Sequence, residues 1–227
     1  MVQFDHYVDD YKTLLDNSLS LVGGFDEYYL HRKVDIVRNV IGSKKIKSIL
    51  DFGCGLGDTS LMLRDSFPHA RIVGVDISEI SIEHARTNNK DIDFYCLADQ
   101  KFIASYAGYF DLIYVANVFH HIPCHERQTI TGLLNKLMSV SGQICVFEHN
   151  PYNPLTNLVV SRCEFDQDAI LLFSRDSRML LEYSGFQVER TVYFLFFPYM
   201  FRKLSKIEAF LSWLPLGAQY CVVASLK

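Results

Sequence analysis

Short apolar runs alternate with helical patterns along most of the chain. The runs that predict strands cover residues 47–52, 71–77, 92–98, 110–118, 142–147, 188–197 and 218–226. Between them, apolar residues recur at helical spacing, as Leu61, Leu63 and Phe67 do, and the segment 123–140 has a proline in its first turn. This order predicts an α/β fold: a mostly parallel sheet covered by helices on both faces, with its ligand site at the carboxyl ends of the strands.

Two additions flank this pattern. Residues 1–42 predict a helical N-terminal cap, or lid, built from helices over 5–21 and 25–41. Residues 43–227 then form the α/β domain, and 199–216 form an insertion before its last strand with a predicted amphipathic helix. Both additions can fold over the ligand-binding edge of the sheet.

Composition narrows the class of protein. With 227 residues, 49% of them hydrophobic, the chain fits one domain with a large core. Its net charge of −4 argues against a nucleic-acid partner, because such proteins usually carry a surplus of lysine and arginine. Six cysteines without a C-x-x-C pair predict buried thiols in a reducing compartment. No secretory signal or transmembrane segment is visible, so we expect a cytoplasmic protein.

The segment 51–58 (DFGCGLGD) lies between the first strand and the following helix and predicts a ligand site. A side chain at Gly53 or Gly55 would block close approach of the backbone to a ligand, and glycine accepts positive φ angles. The helix that follows directs N–H groups at a phosphate or carboxylate. Asp76, which ends the second strand, can accept hydrogen bonds from ribose hydroxyls. Together these features predict a nucleoside-containing cofactor.

The glycine spacing distinguishes between cofactors. The dinucleotide fingerprint G-x-G-x-x-G/A would place its third small residue at position 58, which is Asp58, a poor neighbour for a pyrophosphate. The spacing therefore argues against an NAD(P)-dependent oxidoreductase, which stays an alternative. A non-catalytic cofactor-binding protein is the other alternative.

Four segments in this order resemble the motifs of the class I S-adenosylmethionine-dependent methyltransferase superfamily: 49–57, 74–78, Ala98–Asp99, and 110–113 with 117–122. The resemblance covers roughly residues 47–150. It implies a Rossmann-like sheet of seven strands whose last strand is antiparallel and lies between the fifth and sixth. It also implies methyl transfer, with S-adenosyl-L-methionine as the cofactor.

By the same resemblance, nine residues would contact this cofactor: Asp51, Gly53, Cys54, Gly55, Asp76, Ile77, Asp99, Gln100 and Asn117. Those of the glycine-rich turn would line the methionine part, and those after the second and third strands the ribose and adenine. Asn117 would lie under the cofactor by its backbone.

The acceptor is less constrained, because in methyl transfer the protein mainly aligns the reactants. His121 and His149 follow the fourth and fifth strands and are candidate general bases, or they only pack near the cofactor. No cluster of carboxylates predicts a metal site. Arg32 either lies on a solvated helix face or reaches the methionine carboxylate.

The segments that follow the sheet suggest a small-molecule or glycan-type acceptor. Residues 148–157 look like bacterial methyltransferases, some of them associated with surface-glycan synthesis. The aromatic run 193–201 is either a core strand with its cap, or it forms an acceptor wall, a homodimer face or a peripheral membrane contact.

Overall fold

The computed structural model describes residues 26–227, so the helix predicted over 5–21 lies outside the described residues. A single sheet has the strand order β3-β2-β1-β4-β5-β7-β6. Its strands are β1 Ser48–Phe52, β2 Arg71–Asp76, β3 Asp93–Cys96, β4 Phe110–Ala116, β5 Met138–His149, β6 Phe186–Phe194 and β7 Gln219–Leu226. Strands β1 to β5 pair in parallel, whereas β7 is antiparallel to both β5 and β6. This confirms the predicted Rossmann-like α/β fold and the place of its last strand.

Helices cover both faces of the sheet. They are α1 Asp26–Ile41, α2 Asp58–Ser66, α3 Glu79–Asn88, α4 Gln100–Ser105, α5 Cys124–Leu137, α6 Pro154–Val160, α7 Ser174–Tyr183 and α8 Glu208–Leu211. Three 3₁₀ segments cover Phe119–His121, Glu164–Asp166 and Tyr199–Ile207. None of the helices in residues 26–227 has the length and apolar character needed to cross a membrane.

The strand pleat divides the core into two layers, because successive side chains of a strand point to opposite faces. Ile49 of β1 packs in one layer with Val37 of α1 and Leu63 of α2. Leu50, the next residue, packs in the other layer with Leu134 of α5. Both faces of the central strands are therefore buried, and polar residues concentrate at the strand ends.

Strands β4 and β6 end earlier than predicted, because the residue after each has left-handed backbone. The sequence predicts that β4 reaches residue 118 and that β6 reaches residue 197, but the strands end at Ala116 and Phe194. The next residues, Asn117 and Leu195, have φ angles of 58° and 59°. This left-handed conformation breaks extended backbone, and in a leucine it is unusual and costs free energy.

Two predicted helices also differ from the structure. The helix predicted over 123–140 ends at Leu137, because Met138 already pairs with Phe110 and begins β5. The insertion 199–216 contains a 3₁₀ stretch and the four-residue α8 instead of one amphipathic helix. The chain kinks at Phe201, and no side chain of Tyr199–Ile207 is buried, so no core contact there favours a regular helix.

The N-terminal helix and the insertion are joined by a buried ion pair. Nη2 of Arg32 in α1 lies 2.6 Å from Oε2 of Glu208 in α8, and Glu208 is buried. The other oxygen of Glu208 accepts the backbone N–H of Phe196 at 3.0 Å. Arg32 is thus engaged with the insertion and not aimed at a cofactor carboxylate, which the sequence had suggested. The predicted boundary between a 1–42 cap and a 43–227 domain stays a prediction.

Candidate active site

A cavity of about 500 Å³ opens at the carboxyl ends of the central strands, where the sequence predicts the ligand. One part of its wall is the turn after β1 together with Asp76 and Ile77 after β2. The opposite part is the segment after β4, helix α6 and residues 195–198. Helix α1 contributes Tyr29, Leu30 and Lys33. Of the two additions to the sheet, the N-terminal one therefore lines the cavity through α1, whereas no residue of the insertion 199–216 does.

The glycines of the turn serve two different purposes. Gly53 has a φ of 77°, and a Cβ built on it would lie 2.3 Å from Cγ2 of Val118, so packing within the protein requires glycine there. Gly55 has a φ of 50°, and a Cβ on it would meet nothing within 4 Å. Since Gly55 lines the cavity, it presents bare backbone to the open space. Cys54 between them is buried, and burial raises the pKa of its thiol well above the usual range.

Asp76 holds the turn in place while it faces the cavity. Its Oδ2 accepts the backbone N–H of Gly55 at 2.9 Å, and its Oδ1 accepts that of Ser78 at 2.9 Å. Ser78 in turn caps α3 by accepting the N–H of Ser81. The carboxylate therefore joins the ends of β1 and β2 at one point of the cavity wall.

Six of the nine predicted cofactor residues line the cavity: Gly53, Cys54, Gly55, Asp76, Ile77 and Asn117. Asp51 does not, because it is buried beneath the turn and accepts the hydroxyl of Ser60 at 2.6 Å. Asp99 is exposed and caps α4 by accepting the N–H of Lys101. The side chain of Gln100 lies outside the described part of the chain. Cofactor contacts by all nine residues stay predictions.

The far end of the cavity carries a buried cluster of histidines and carboxylates. Nδ1 of His120 lies 2.5 Å from Oε2 of Glu148. Nε2 of His120 and Nε2 of His121 lie 3.5 Å and 3.2 Å from the same oxygen, Oδ1 of Asp166. His149 lies beside them, with its ring centroid 5.3 Å from that of His120. Both predicted catalytic residues, His121 and His149, therefore line the cavity together.

Burial and pairing set the charges in this cluster. Burial disfavours charged His120, but Glu148 and Asp166 outweigh it and raise the pKa of His120 to about 9. Burial likewise opposes charge on Glu148, yet His120 holds its pKa below the usual range. Burial also opposes charge on Asp166, but His120 and His121 outweigh it and hold the pKa of Asp166 below its usual range. Burial and the neighbouring His120 lower the pKa of His149 to about 4, so this imidazole is neutral and a weak base.

Lys33 and Asp166 are among the polar residues of the wall that sequence reasoning missed. Lys33 is buried in α1 and lines the cavity. Lys33 shares a helix face with the buried Val37 and Val40. A lysine within an apolar stripe is the sequence pattern that could have indicated this residue. Asp166 belongs to no motif and reaches the site only through the fold. Of the predicted aromatic wall, Phe196 and Phe197 line the cavity, along with Leu195 and Pro198.

Comparisons with known proteins agree with this architecture. Residues 49–142 match the family model described as a methyltransferase domain. The chain is 29% identical over 150 residues to a demethylmenaquinone methyltransferase of Thermotoga maritima, covering 66% of this chain and 61% of that protein. It is 30% identical over 102 residues to a ubiquinone biosynthesis O-methyltransferase of Aromatoleum aromaticum, covering 43% of this chain and 42% of that protein. The crystal structure of a SAM-dependent methyltransferase from Archaeoglobus fulgidus superimposes with a TM-score of 0.69 at 19% identity, covering 95% of this chain and 99% of the other.

The chain thus carries a methyltransferase domain over residues 49–142, within the fold that solved SAM-dependent methyltransferases have. It spans less than two thirds of either curated relative, so the match concerns the shared domain. The matched residues 49–142 include the turn and Asp76 but not His149 or Asp166. The matched residues therefore include the turn side of the cavity. At the histidine end, His149 and Asp166 lie outside the matched residues.

Asp51, beneath the methyltransferase turn, predicts a specific pH dependence of stability. Burial raises its pKa to about 7, despite the hydrogen bond from Ser60. The folded state therefore keeps a proton that the unfolded state releases near pH 4, and stability falls as the pH rises from about 4 to about 7. We expect Asp51→Asn, which cannot ionise, to lose less free energy of unfolding over this range than the wild type, as measured by urea denaturation at a series of pH values.

Asp91→Asn is the matched control for that comparison, since Asp91 is exposed and its replacement should leave the pH slope unchanged. Equal slopes for Asp51→Asn and the wild type would show that Asp51 does not titrate in this range.

Proposed function

We propose that this protein transfers the methyl group of S-adenosyl-L-methionine to a small, largely apolar acceptor. The observation that carries the proposal is that one cavity joins two kinds of wall. Gly55 and Asp76 present bare backbone and a carboxylate on one side. Apolar residues and the histidine cluster form the other side, which we call the acceptor chamber.

The residues of the turn side fit the cofactor. The open backbone at Gly55 leaves space for the methionine part, and the N-terminus of α2 with Asp58 and Thr59 lies at the same wall. The Lys33 ammonium provides positive charge on the cavity side of α1, which favours a carboxylate ligand. Carboxylate oxygens accept more than one hydrogen bond each, so Asp76 can hold ribose hydroxyls and the turn together. When bound, the cofactor supplies an electrophilic methyl group on sulfur.

The acceptor chamber favours an apolar small molecule. Ile122, Ile130, Leu155, Val159 and Phe196 line it, and such side chains exclude water and bind apolar surface. The two curated relatives described above are named for methylation in quinone biosynthesis, which agrees with an acceptor of this kind. A glycan-type acceptor stays a prediction, because the cavity wall also carries polar residues such as Glu126, Asn153 and Gln219.

The alternatives predict other behaviour. For a dinucleotide cofactor, Asp58 lies at the cavity wall where a pyrophosphate would need a small neighbour, so electrostatic repulsion disfavours an NAD(P)-dependent oxidoreductase. A non-catalytic cofactor-binding protein would bind S-adenosylmethionine without transferring its methyl group. General-base roles for His121 and His149 stay predictions. The buried thiols of Cys54, Cys145 and Cys221 support a cytoplasmic location.

Isothermal titration calorimetry with S-adenosylmethionine tests the proposal. We expect the wild type to bind this compound and not NADH. Asp76→Ala should bind about 10- to 150-fold more weakly, the effect of losing hydrogen bonds to a charged group worth about 1.5–3 kcal/mol. Asp91→Ala, an exposed aspartate, is the matched control and should bind as the wild type does.

Because Asp76 also holds Gly55 and Ser78, thermal unfolding of each variant has to show that it is folded. Wild-type affinity in a folded Asp76→Ala variant would contradict the ribose assignment, and preferential binding of NADH would contradict the cofactor. Transfer of labelled methyl from the cofactor to phenolic or quinol acceptors separates the enzyme from the non-catalytic alternative.

The insertion supports a peripheral contact with an anionic membrane. Phe210 and Trp213 are 77% and 72% exposed, and Arg202, Lys203 and Lys206 are exposed on the same segment. Aromatic side chains next to cations suit the headgroup region of an acidic bilayer, although the whole chain is acidic. Since residues 195–198 lead from the cavity into this segment, a lipid-soluble acceptor would reach the chamber from the membrane side.

Vesicle co-sedimentation tests this contact. We expect the wild type to bind phosphatidylserine vesicles more strongly than phosphatidylcholine vesicles, and the Phe210→Ser, Trp213→Ser double variant to lose that binding. Val140→Ser changes a 93% exposed valine at the amino end of β5, away from the insertion, and this variant should bind vesicles as the wild type does. If the double variant binds vesicles as the wild type does, or instead abolishes a concentration-dependent dimer seen by sedimentation, the membrane proposal is wrong and the homodimer alternative is favoured.

A further inference from the structure

Three possible ligand atoms converge at the histidine end of the cavity. His120 and His121 come from the 3₁₀ segment after β4, and Asp166 comes from the one after α6. One ligand atom of each lies within 4.8 Å of the others, and the two Nε2 to Oδ1 distances are 3.5 and 3.2 Å. Two ligands at about 2.1 Å from one ion in tetrahedral geometry are about 3.4 Å apart. The observed spacing therefore suits a single metal ion.

His120 provides an independent observation. The residue is 2% exposed, and its buried Nε2 has no hydrogen-bond partner among the side and main chains of residues 26–227. Its other ring nitrogen, Nδ1, is held by Glu148 at 2.5 Å. A carboxylate behind one imidazole nitrogen is the usual support of a histidine whose opposite nitrogen binds a metal. Oδ1 of Asp166 lies 3.5 Å from Nε2, too far for a good hydrogen bond, so a metal ion would supply the close partner that Nε2 lacks.

The charges around the site favour a cation. Glu148 and Asp166 are both buried carboxylates within reach of His120. Buried carboxylates in proteins are paired with cations or bind metals, because isolated buried charge is costly. A divalent ion between the two histidines and Asp166 would neutralise this end of the cavity.

We propose that His120, His121 and Asp166 bind a divalent ion of the zinc class. Two imidazole nitrogens with one carboxylate oxygen form the ligand set of catalytic zinc sites, which keep a fourth position open. Mg²⁺ prefers oxygen ligands alone, so it should bind more weakly. All three residues line the cavity, so the open position faces the acceptor chamber.

This assignment makes His121 a metal ligand in place of a general base. In the proposed methyl transfer, an acceptor oxygen on the open position would have a lowered pKa, because the ion acts as a Lewis acid. That role depends on the proposed function, whereas binding of the ion does not. The sequence did not predict the site, because its ligands lie on two distant segments and Asp166 belongs to no motif.

Calorimetric titration of chelator-treated, full-length protein with Zn²⁺ tests the site. We expect one ion per chain. His121→Ala and Asp166→Asn should weaken the affinity at least as much as loss of a supporting carboxylate does in such sites, about 10- to 100-fold. His125→Ala and Cys124→Ser, at exposed neighbours on α5, are the matched controls and should keep the wild-type affinity. Co²⁺ gives a second measurement, since its visible absorption on binding should be absent in His121→Ala.

Three results would overturn the proposal: no Zn²⁺ binding by the wild type, unchanged affinity in His121→Ala and Asp166→Asn, or loss of binding in Cys124→Ser. Asp166→Asn keeps the shape of the side chain, and thermal unfolding of each variant separates a loss of affinity from unfolding. Zinc binding by a protein that does not bind S-adenosylmethionine would leave this site standing while contradicting the proposed function.

Discussion

The buried carboxylate of Glu148 is the constraint on which the site depends. It lies next to the last residue of β5 and is fully buried, where an unpaired charge would be costly, so the surrounding chain has to provide donors. The backbone N–H groups of Val118 and Phe119 donate to Oε1, and His120 pairs with Oε2. These bonds hold the segment after β4 against the end of β5. One buried side chain thereby fixes the segment after β4, which lines the cavity.

The left-handed residues at the cavity follow from the same arrangement. Asn117 leaves β4 with a φ of 58°, and its N–H still bonds the carbonyl of Phe147 in β5. Gly53 makes room for Val118 on the other side of this segment. Leu195 makes the equivalent break after β6 and directs the chain across the cavity. Strained backbone is thus concentrated where chain segments must turn away from the sheet towards a ligand.

Sequence reasoning succeeded where local pattern determines structure. The strands, the glycine-rich turn and the position of Asp76 follow from hydrophobic periodicity and motif order, because buried strands and turns depend on residues close in sequence. The place of β7 between β5 and β6 was implied only by the family resemblance. The predicted β4 and β6 extend past their observed ends, because nothing in the sequence indicates a left-handed conformation at Asn117 or Leu195 within an apolar run.

The site was predicted only in part, because much of it is made by tertiary contacts. Asp51 and Asp99 belong to motifs, yet the first bonds Ser60 beneath the turn and the second caps α4. Conversely, Lys33 and Asp166 line the cavity without belonging to any motif. A motif identifies the backbone at a ligand site, whereas the side chains that complete its far wall come from elements whose positions only the fold determines.

The central claim is that the cavity orients an adenosyl sulfonium with its methyl group towards the histidine cluster. A crystal structure of the protein with S-adenosylmethionine tests this most directly. Our account predicts the ribose on Asp76, the methionine part along Gly55, and the methyl group directed at the chamber between Asn117 and His121. An empty cavity, or a ligand whose methyl group faces away from that chamber, would contradict it.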